Sequence, residues 1–170
     1  MQLVVSLNAS VKRFQNISEK DVCFMVNSIH NLHIGQCAEF KKTLTDNDVA
    51  DFALASGDTN PVHLDESAGR ESIFGQRVVH GILVSGLISA VIANKLPGNG
   101  SIYLGQDLKF IKPTFIGDTI TATAEVIAIN CEKNRVRLKT TCTNQHGDQV
   151  IVGEAVVLPP LEKALAEEVN

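Results

Sequence analysis

Residues 81–96 read GILVSGLISAVIANKL, and this stretch decides the fold. Apolar residues occupy most positions around its helical wheel, and Pro97-Gly98 directly after it stops a helix. Ser85, Ser89 and Lys95 interrupt the run, which is shorter than the ~20 apolar residues that a membrane crossing needs. We therefore predict a buried helix over residues 81–96 that other elements of the chain cover.

The chain after this helix has the alternation of β-strands. Apolar and polar residues exchange at every second position in the runs 102–111, 119–126 and 135–142. In the first run, one face is predicted to carry the side chains of Ile102, Leu104, Leu108 and Phe110. Turn-forming residues at 131–134 and 145–148 separate the strands, so we predict antiparallel hairpins.

An apolar helix followed by long antiparallel strands, each with one apolar face, indicates the α+β class. One architecture that meets this pattern is a curved antiparallel sheet wrapped around the helix. A flat sandwich, in which the helix lies across one side of the sheet, meets it equally. The periodicity of the sequence does not separate the two.

An edge strand and two short helices are predicted before the apolar helix. Residues 37–44 have strand character and carry two lysines, which suits the edge of a sheet. Thr45 is a hydroxyl N-cap with Asp48 three residues later, so a helix is predicted over 46–55. A second short helix is predicted over 65–71.

The densest group of polar side chains lies between these two helices. It reads SGDTNPVH over residues 56–63, and Pro61 keeps Asn60 out of the helical region, so we predict a loop. Asp58 and His63 can meet at one point in such a loop. Together, a carboxylate that accepts a proton and an imidazole that donates or accepts one can hold and polarise a water molecule. The alternative is that the polar side chains bond only their own backbone.

A second candidate site lies where VVHG, residues 78–81, leads into the apolar helix. Backbone N–H groups are exposed at a helix start, and Gly81 lets another molecule approach closely. Such an N–H stabilises a developing oxyanion, for example that of a thioester enolate. Ser85 and Ser89 lie one turn apart on the same helix and are further candidates, although helical serines commonly bond a preceding carbonyl.

Composition limits the classes of function. The chain has 170 residues, enough for one domain with its own core. Its 15 Lys and Arg against 19 Asp and Glu give a net charge of −4, and no basic run exceeds Lys41-Lys42, which disfavours nucleic acid as a partner. The spacing of the four cysteines fits neither a redox pair nor a secreted framework, so a reduced, intracellular protein is predicted; they are Cys23, Cys37, Cys131 and Cys142.

Other motifs are incomplete. His30 and His33 have the spacing of a helical metal pair, but no nearby carboxylate or cysteine completes a ligand set, so no metal is predicted. The turn 98–100, GNG, lacks the lysine and the helix of a phosphate-binding loop. No G-x-S-x-G elbow is present and no cysteine has a nucleophile's setting, which disfavours acyl-enzyme chemistry.

Residues 52–65, FALASGDTNPVHLD, closely resemble the hydratase-2 motif of the MaoC-like (R)-specific enoyl-CoA hydratases, or type 2 3-hydroxyacyl-thioester dehydratases. The S-G-D-x-N-P-x-H core of this motif is highly specific. The similarity continues through VHGIL at 79–83 and LPGNGSIYLGQ at 96–106, and it covers about residues 35–158. The resemblance implies the hot-dog fold, an antiparallel sheet curled around a central helix.

The resemblance also implies reversible hydration of trans-2-enoyl-CoA, or the acyl carrier protein thioester, to the (R)-3-hydroxyacyl thioester in fatty-acid metabolism. Asp58 would act as the base towards water, and His63 would orient the water and help to protonate the α-carbon. The N–H of Gly81 would polarise the thioester carbonyl. Asn60 would hold the loop and Ser89 would support the site, while His80 is counted among the substrate-binding residues. No cofactor is implied, because the thioester itself stabilises the enolate.

Two other functions stay open at this point. The hot-dog fold also serves acyl-thioesterases, which attack the carbonyl carbon, and a blocked acyl tunnel would leave a non-catalytic acyl-thioester binding module. Members of the family commonly form homodimers with active sites near the interface, so a homodimer is expected. Candidate contacts for the phosphates of CoA or a carrier protein are Arg70, Arg77, Lys109 and Lys112.

We predict a single domain over residues 34–160, preceded by an N-terminal extension over 1–33 and followed by a tail over 161–170. Residues 3–14 include Lys12 and Arg13 and contain no acid, which gives them a weak presequence character. We expect a cytoplasmic protein that does not enter a membrane. The mitochondrial matrix is the alternative compartment.

Overall fold

The computed structural model describes residues 28–161. In this part of the chain, five strands form one sheet: β1 (Cys37–Thr43), β2 (Ile102–Phe110), β3 (Thr119–Asn130), β4 (Arg135–Thr143) and β5 (Gln149–Leu158). Four α-helices separate β1 from β2: α1 (Asp46–Ser56), α2 (Pro61–Leu64), α3 (Glu66–Glu71) and α4 (Gly81–Asn94). A short 3-10 helix, Ile29–Asn31, precedes β1.

The strands pair in the order β1-β3-β4-β5-β2, and every pair is antiparallel. The predicted hairpins β3–β4 and β4–β5 are confirmed. In contrast, β2 pairs with β5 instead of with β3, its successor in the sequence. As a result β1 and β2 are the two edges of the sheet, which confirms the edge position predicted for β1 and leaves one side of β2 unpaired.

The core lies between α4 and the facing side of the sheet. Val84, Ile88 and Val91 of the helix are buried against fully buried positions that alternate along β3 and β4. Helix α4 contacts β3 and β4 in the centre of the sheet, and also β1 and β2 at its opposite edges. One helix can touch both edges of a five-stranded sheet only if the sheet curves around it. The curved architecture is therefore the correct one of the two that the sequence allowed.

The single apolar face predicted for residues 102–111 is wrong in its first half. The register shifts between Tyr103 and Gly105, so that Leu104 is an extra residue in a β-bulge. A slip of one residue turns the preceding side chains to the other face of the sheet. Ile102 therefore lies opposite Leu158 on the outer face and is 60% exposed.

One side of α4 has no cover from residues 28–161. Ile82 is 58% exposed, and Gly86, Ser89 and Ala93 lie on the same side of the helix and are exposed as well. The prediction that this helix is buried therefore holds for its sheet-facing side only.

The N-terminal boundary of the folded part lies earlier than residue 34. Ile29 and Leu32 are buried, and Leu32 belongs to the core cluster. Residues 1–27 of the predicted extension and 162–170 of the predicted tail lie outside the described residues. Within residues 28–161, no helix combines the length and the apolar character that a membrane crossing requires.

Candidate active site

Helix α1 directly precedes the candidate site in the chain and is capped at both ends. Oγ1 of Thr45 accepts the N–H of Asp48 at 3.3 Å, and the Asp48 carboxylate accepts the N–H of Thr45 at 2.9 Å, so the predicted capping box is confirmed. At the other end Gly57 has φ +79°, a left-handed conformation that favours glycine, and its N–H bonds the Ala53 carbonyl. The chain turns there into the loop that carries Asp58.

The one-turn helix α2 carries His63 where the sequence analysis predicted a loop. Asn60 caps it by accepting the N–H of Val62 at 3.3 Å, and Pro61 occupies the first helical position, where no N–H is needed. The Asp58 carboxylate accepts the N–H of Asn60 at 3.3 Å. A helix of four residues is too short to show periodicity, so it could not be distinguished from a loop.

The imidazole of His63 is held by the segment that precedes α4. Its Nδ1 lies 2.8 Å from the carbonyl oxygen of Val78. Because that oxygen only accepts, Nδ1 carries a hydrogen, and Nε2 is the nitrogen left to exchange protons. Arg77 Nε donates to the carbonyl oxygen of His63 at 2.8 Å, so both the ring and the backbone of this residue are anchored.

Of the four predicted phosphate contacts, Arg77 is bound to other residues of the protein. It forms ion pairs with Asp46 at 2.8 Å and Glu66 at 3.2 Å, and its side chain is 15% exposed. Lys112 lies in the wall of a cavity beside His63 and forms an ion pair with Asp148 at 2.6 Å. Hydrogen bonds from Lys112 and Asn144 lower the pKa of the Asp148 carboxyl. The remaining two, Arg70 and Lys109, are on exposed surface.

His80 lies behind Asp58 and His63. Its ring is 1% exposed, and Nε2 donates to the backbone carbonyl oxygen of Asp58 at 3.0 Å. The ring stacks on that of His63 with centroids 3.8 Å apart and planes inclined by 29°, and Phe52 packs against it at 4.8 Å. His80 is absent from the cavity wall, although the sequence analysis counted it among the substrate-binding residues.

Asp58, His63 and His80 converge, since one oxygen or ring nitrogen from each lies within 4.8 Å of the others. Two groups that share one water at hydrogen-bond distance lie about 4.5 Å apart, so this spacing suits a held water. It suits a metal less well. Zinc needs imidazole nitrogens at about 2.0–2.1 Å, and one nitrogen of each of the two histidine rings is already committed to a backbone carbonyl oxygen.

A cavity of about 560 Å³ opens beside His63 and the start of α4. Gly81 is the first residue of that helix, so its N–H has no partner within the helix. A Cβ on Gly81 would lie 2.7 Å from Cε1 of Phe110, so any larger residue here would displace that ring. The rest of the wall is largely apolar and includes Val62, Phe74, Val78, Val84, Ile111 and Ile151.

The two serines of α4 are placed differently. Ser85 donates to the Ile82 carbonyl oxygen at 2.8 Å, the backbone bond expected of a helical serine. Ser89 lies two turns from Gly81 on the exposed side of the helix and makes no side-chain hydrogen bond within residues 28–161. The structure of one chain therefore does not bring Ser89 to Asp58 or His63, and its supporting role stays a prediction.

No nucleophilic thiol is offered by Cys142, which lies beneath α4. It is fully buried, and its Sγ lies 3.9 Å from the Val84 carbonyl oxygen. Burial raises the pKa of the thiol to about 12, so it remains protonated at neutral pH.

A curved antiparallel sheet wrapped around one apolar helix defines a hot-dog protein, and here an Asp and a His lie beside its apolar cavity. Residues 31–150 match the family described as MaoC like domain, and the chain belongs to that family. The family and the fold that the sequence predicted are both confirmed.

Two relatives of known name are similar to this chain over most of their length. The (R)-specific enoyl-CoA hydratase of Rhodospirillum rubrum is 47% identical over 126 residues, which span 74% of this chain and 87% of that protein. A mitochondrial 3-hydroxyacyl-[acyl-carrier-protein] dehydratase of Arabidopsis thaliana is 33% identical over 132 residues, 76% of this chain and 78% of that one. The solved structure of R-hydratase PhaJ1 from Pseudomonas aeruginosa matches with a TM-score of 0.75 at 44% identity, covering 82% of this chain and 92% of that one.

Proposed function

We propose that this protein is an (R)-specific enoyl-thioester hydratase, a hydro-lyase that adds water to trans-2-enoyl thioesters and catalyses the reverse dehydration. The observation that carries the proposal is the meeting of Asp58 and His63, within 4.8 Å, beside an apolar cavity whose wall includes Gly81. The names of the relatives at 47% and 33% identity support the same reaction class.

In the hydration direction, the oxygen of a water held by Asp58 and His63 bonds to C3 of the substrate while one of its protons passes to the Asp58 carboxylate. The electron pair of the C2=C3 bond moves towards the thioester carbonyl. Negative charge develops on the carbonyl oxygen, and the N–H of Gly81 stabilises it. The thioester group itself therefore holds the charge until C2 is protonated.

Proton transfer to C2 is assigned to Nε2 of His63, because Nδ1 is committed to the Val78 carbonyl. Nε2 of His63 gives a proton to C2 of the enolate, which completes the 3-hydroxyacyl thioester. The proton on Asp58 returns to His63 through water, since Asp58 is exposed. One water is consumed and both residues end in their starting states.

The first test follows the loss of the conjugated enoyl-thioester absorbance with crotonyl-CoA and determines the configuration of the product. We expect the (R)-3-hydroxy product. Asp58→Asn and His63→Ala should each lower kcat by about 10²–10⁴-fold, the usual worth of a general acid or base. Asp51→Asn and His33→Ala are matched controls, since both residues are exposed and make no side-chain bond within residues 28–161.

Other outcomes identify the other functions. Release of free CoA without hydration would indicate a thioesterase. Saturable binding of acyl-CoA without turnover of short, medium or carrier-bound substrates would indicate a binding module. An (S)-configured product, or variants of Asp58 and His63 with unchanged kcat, would contradict the mechanism above.

We further propose that two copies form a homodimer along the edge of β2. No strand within residues 28–161 pairs with that edge. The strand and its continuation expose Leu104, Phe110 and Ile111 to 44%, 53% and 51%. Exposed apolar residues on an unpaired strand edge favour pairing with another chain. Ile82, on the uncovered side of α4, is a further exposed apolar residue. We propose that a second copy of this chain covers these residues.

The carrier and the compartment belong to the same proposal. Either CoA or an acyl carrier protein can present the thioester, and kcat/KM measured with crotonyl-CoA and with the crotonyl carrier protein decides between them.

We propose the cytoplasm as the compartment. The name of the Arabidopsis relative includes a mitochondrial location, so fractionation of cells that express the full chain should compare both.

A further inference from the structure

A buried histidine with one unpaired nitrogen lies at the centre of the site. His80 is 1% exposed, and its Nδ1 has no hydrogen-bond partner among residues 28–161. Since Nε2 donates to a carbonyl oxygen, Nδ1 bears a lone pair that burial leaves unsatisfied. An apolar side chain would avoid that cost. A property of the imidazole other than its apolar surface therefore explains its place here.

The first such property is the hydrogen bond from Nε2 to the carbonyl oxygen of Asp58, 3.0 Å long. The loop at Asp58 is exposed, and its other bonds are short-range: Oγ of Ser56 accepts the N–H of Asp58 at 3.1 Å, and the Asp58 carboxylate accepts the N–H of Asn60. The bond from His80 spans 22 residues and ties this loop to the start of α4.

The second property is the flat face of the ring, which stacks on His63 at 3.8 Å. The Val78 carbonyl holds the edge of the His63 ring through Nδ1, and His80 holds its face. Contacts at edge and face together restrict rotation of the ring. His80 also directly precedes Gly81 in the chain. His80 therefore connects to Asp58 by a hydrogen bond, to His63 by stacking and to Gly81 by the peptide bond.

We propose that His80 is a positioning residue, which fixes the Asp58 loop and the His63 ring relative to the Gly81 N–H without touching substrate. The inference rests on the hydratase function proposed above. It differs from the substrate-binding role predicted from the sequence, because a positioning residue acts on kcat and a substrate contact acts on KM as well.

Two variants separate the two contacts. His80→Phe keeps an aromatic face for stacking and removes the donor to Asp58, whereas His80→Gln keeps an N–H donor and removes the stacking face. We expect each variant to lower kcat for crotonyl-CoA hydration by about 10- to 100-fold, since small misplacements of reacting groups have effects of this size. KM should stay within about twofold of the wild type.

A double variant tests whether His80 acts through Asp58. If it does, adding His80→Phe to Asp58→Asn should lower kcat less than about threefold further, because effects within one functional unit do not add. A general loss of stability would instead reduce both backgrounds equally. The pH profile of kcat should keep its shape in His80→Phe, whereas loss of a proton-transferring residue would remove one limb.

The controls are His33→Phe and His33→Gln, at an exposed position that makes no side-chain hydrogen bond within residues 28–161 and is absent from the cavity wall, so they should leave kcat unchanged. Thermal unfolding establishes that each variant is folded at the assay temperature, and if His80→Phe does not fold, His80→Gln decides alone. Unchanged kcat in the folded variants, or a rise in KM with kcat retained, overturns this inference and leaves the hydratase function intact. An inactive wild type overturns both.

Discussion

The single residue Gly81 adjoins both the cavity and the ring of Phe110. Its N–H faces no helical partner, and a Cβ in its place would lie 2.7 Å from Cε1 and 2.9 Å from Cδ1 of Phe110. Both residues line the same cavity. A methyl group here would therefore move the ring without removing the N–H.

We expect Gly81→Ala to raise KM for crotonyl-CoA about tenfold, or ~1.4 kcal/mol, within the usual range for overpacking a tight contact. The displaced Phe110 ring, rather than loss of the donor, is the physical cause. Steady-state kinetics of Gly81→Ala, Phe110→Leu and the double variant check it. Adding Phe110→Leu to Gly81→Ala should bring KM to within a fewfold of the KM of the Phe110→Leu single variant. A double variant as impaired as Gly81→Ala alone would instead implicate the geometry of the N–H.

The sequence predicts which residues belong to the candidate site, but not which contacts hold them in place. Asp58, His63 and Gly81 were found because local motifs carry them. The bonds from Arg77 to His63 and from His80 to Asp58 join residues 14 and 22 positions apart, and no local pattern encodes such pairs. The proximity of His80 to Gly81 in the sequence indicated its neighbourhood, but not the inward direction of its ring.

At the scale of elements, a signal within a few residues predicted the cap of α1, whereas pairing between distant strands could not be predicted. The capping box of α1 depends on Thr45 and Asp48, three residues apart, and the structure has it as predicted. The β-bulge at Leu104 depends on pairing with β5, about fifty residues later in the chain, and could not be read from the alternation of β2 alone. The same limit applies to the pairing of β2 with β5 rather than β3.

The capping box gives a prediction about stability, because α1 delivers the chain to Asp58. Thr45→Ala should lower the free energy of unfolding by ~1 kcal/mol at pH 7, the usual worth of an N-cap. Urea unfolding measures the difference. Asp51→Asn, in the exposed middle of the same helix, is the control and should change it by less than ~0.5 kcal/mol. Equal effects of both variants would contradict a specific role for the cap.

The same element gives a pH dependence. Burial raises the pKa of Asp48, but hydrogen bonds from Thr45 and the Lys42 ammonium outweigh it and hold the pKa below the ordinary 3.8. A folded-state pKa below the unfolded one means that Asp48 stabilises the fold above pH 3.8, and that this contribution is lost as the pH falls through the folded value. Asp48→Asn should therefore be less stable than the wild type at pH 7, and urea unfolding at falling pH should show the gap closing below 3.8. A gap that is constant with pH would contradict this.

At the scale of the whole molecule, one chain leaves the site partly open. Ile82, Phe110 and Ile111 line the cavity and are each more than half exposed, at 58%, 53% and 51%. An enolate that forms in an open cavity is exposed to bulk water. In a covered cavity, the Gly81 N–H would stabilise the enolate in a less polar medium. A second copy along β2 would supply that cover, so assembly and activity should be coupled.

Leu104→Lys tests this coupling, because a lysine on an edge strand opposes pairing with another strand. Light scattering after size-exclusion chromatography should give twice the 18.3 kDa chain mass for the wild type and the single mass for the variant, with kcat/KM for crotonyl-CoA lowered at least about tenfold. Leu54→Lys is the matched control: Leu54 is 87% exposed on α1, away from the β2 edge, and should leave both assembly and activity unchanged. A fully active monomer, of either the wild type or Leu104→Lys, would show that one chain completes the site and that the β2 edge has another use.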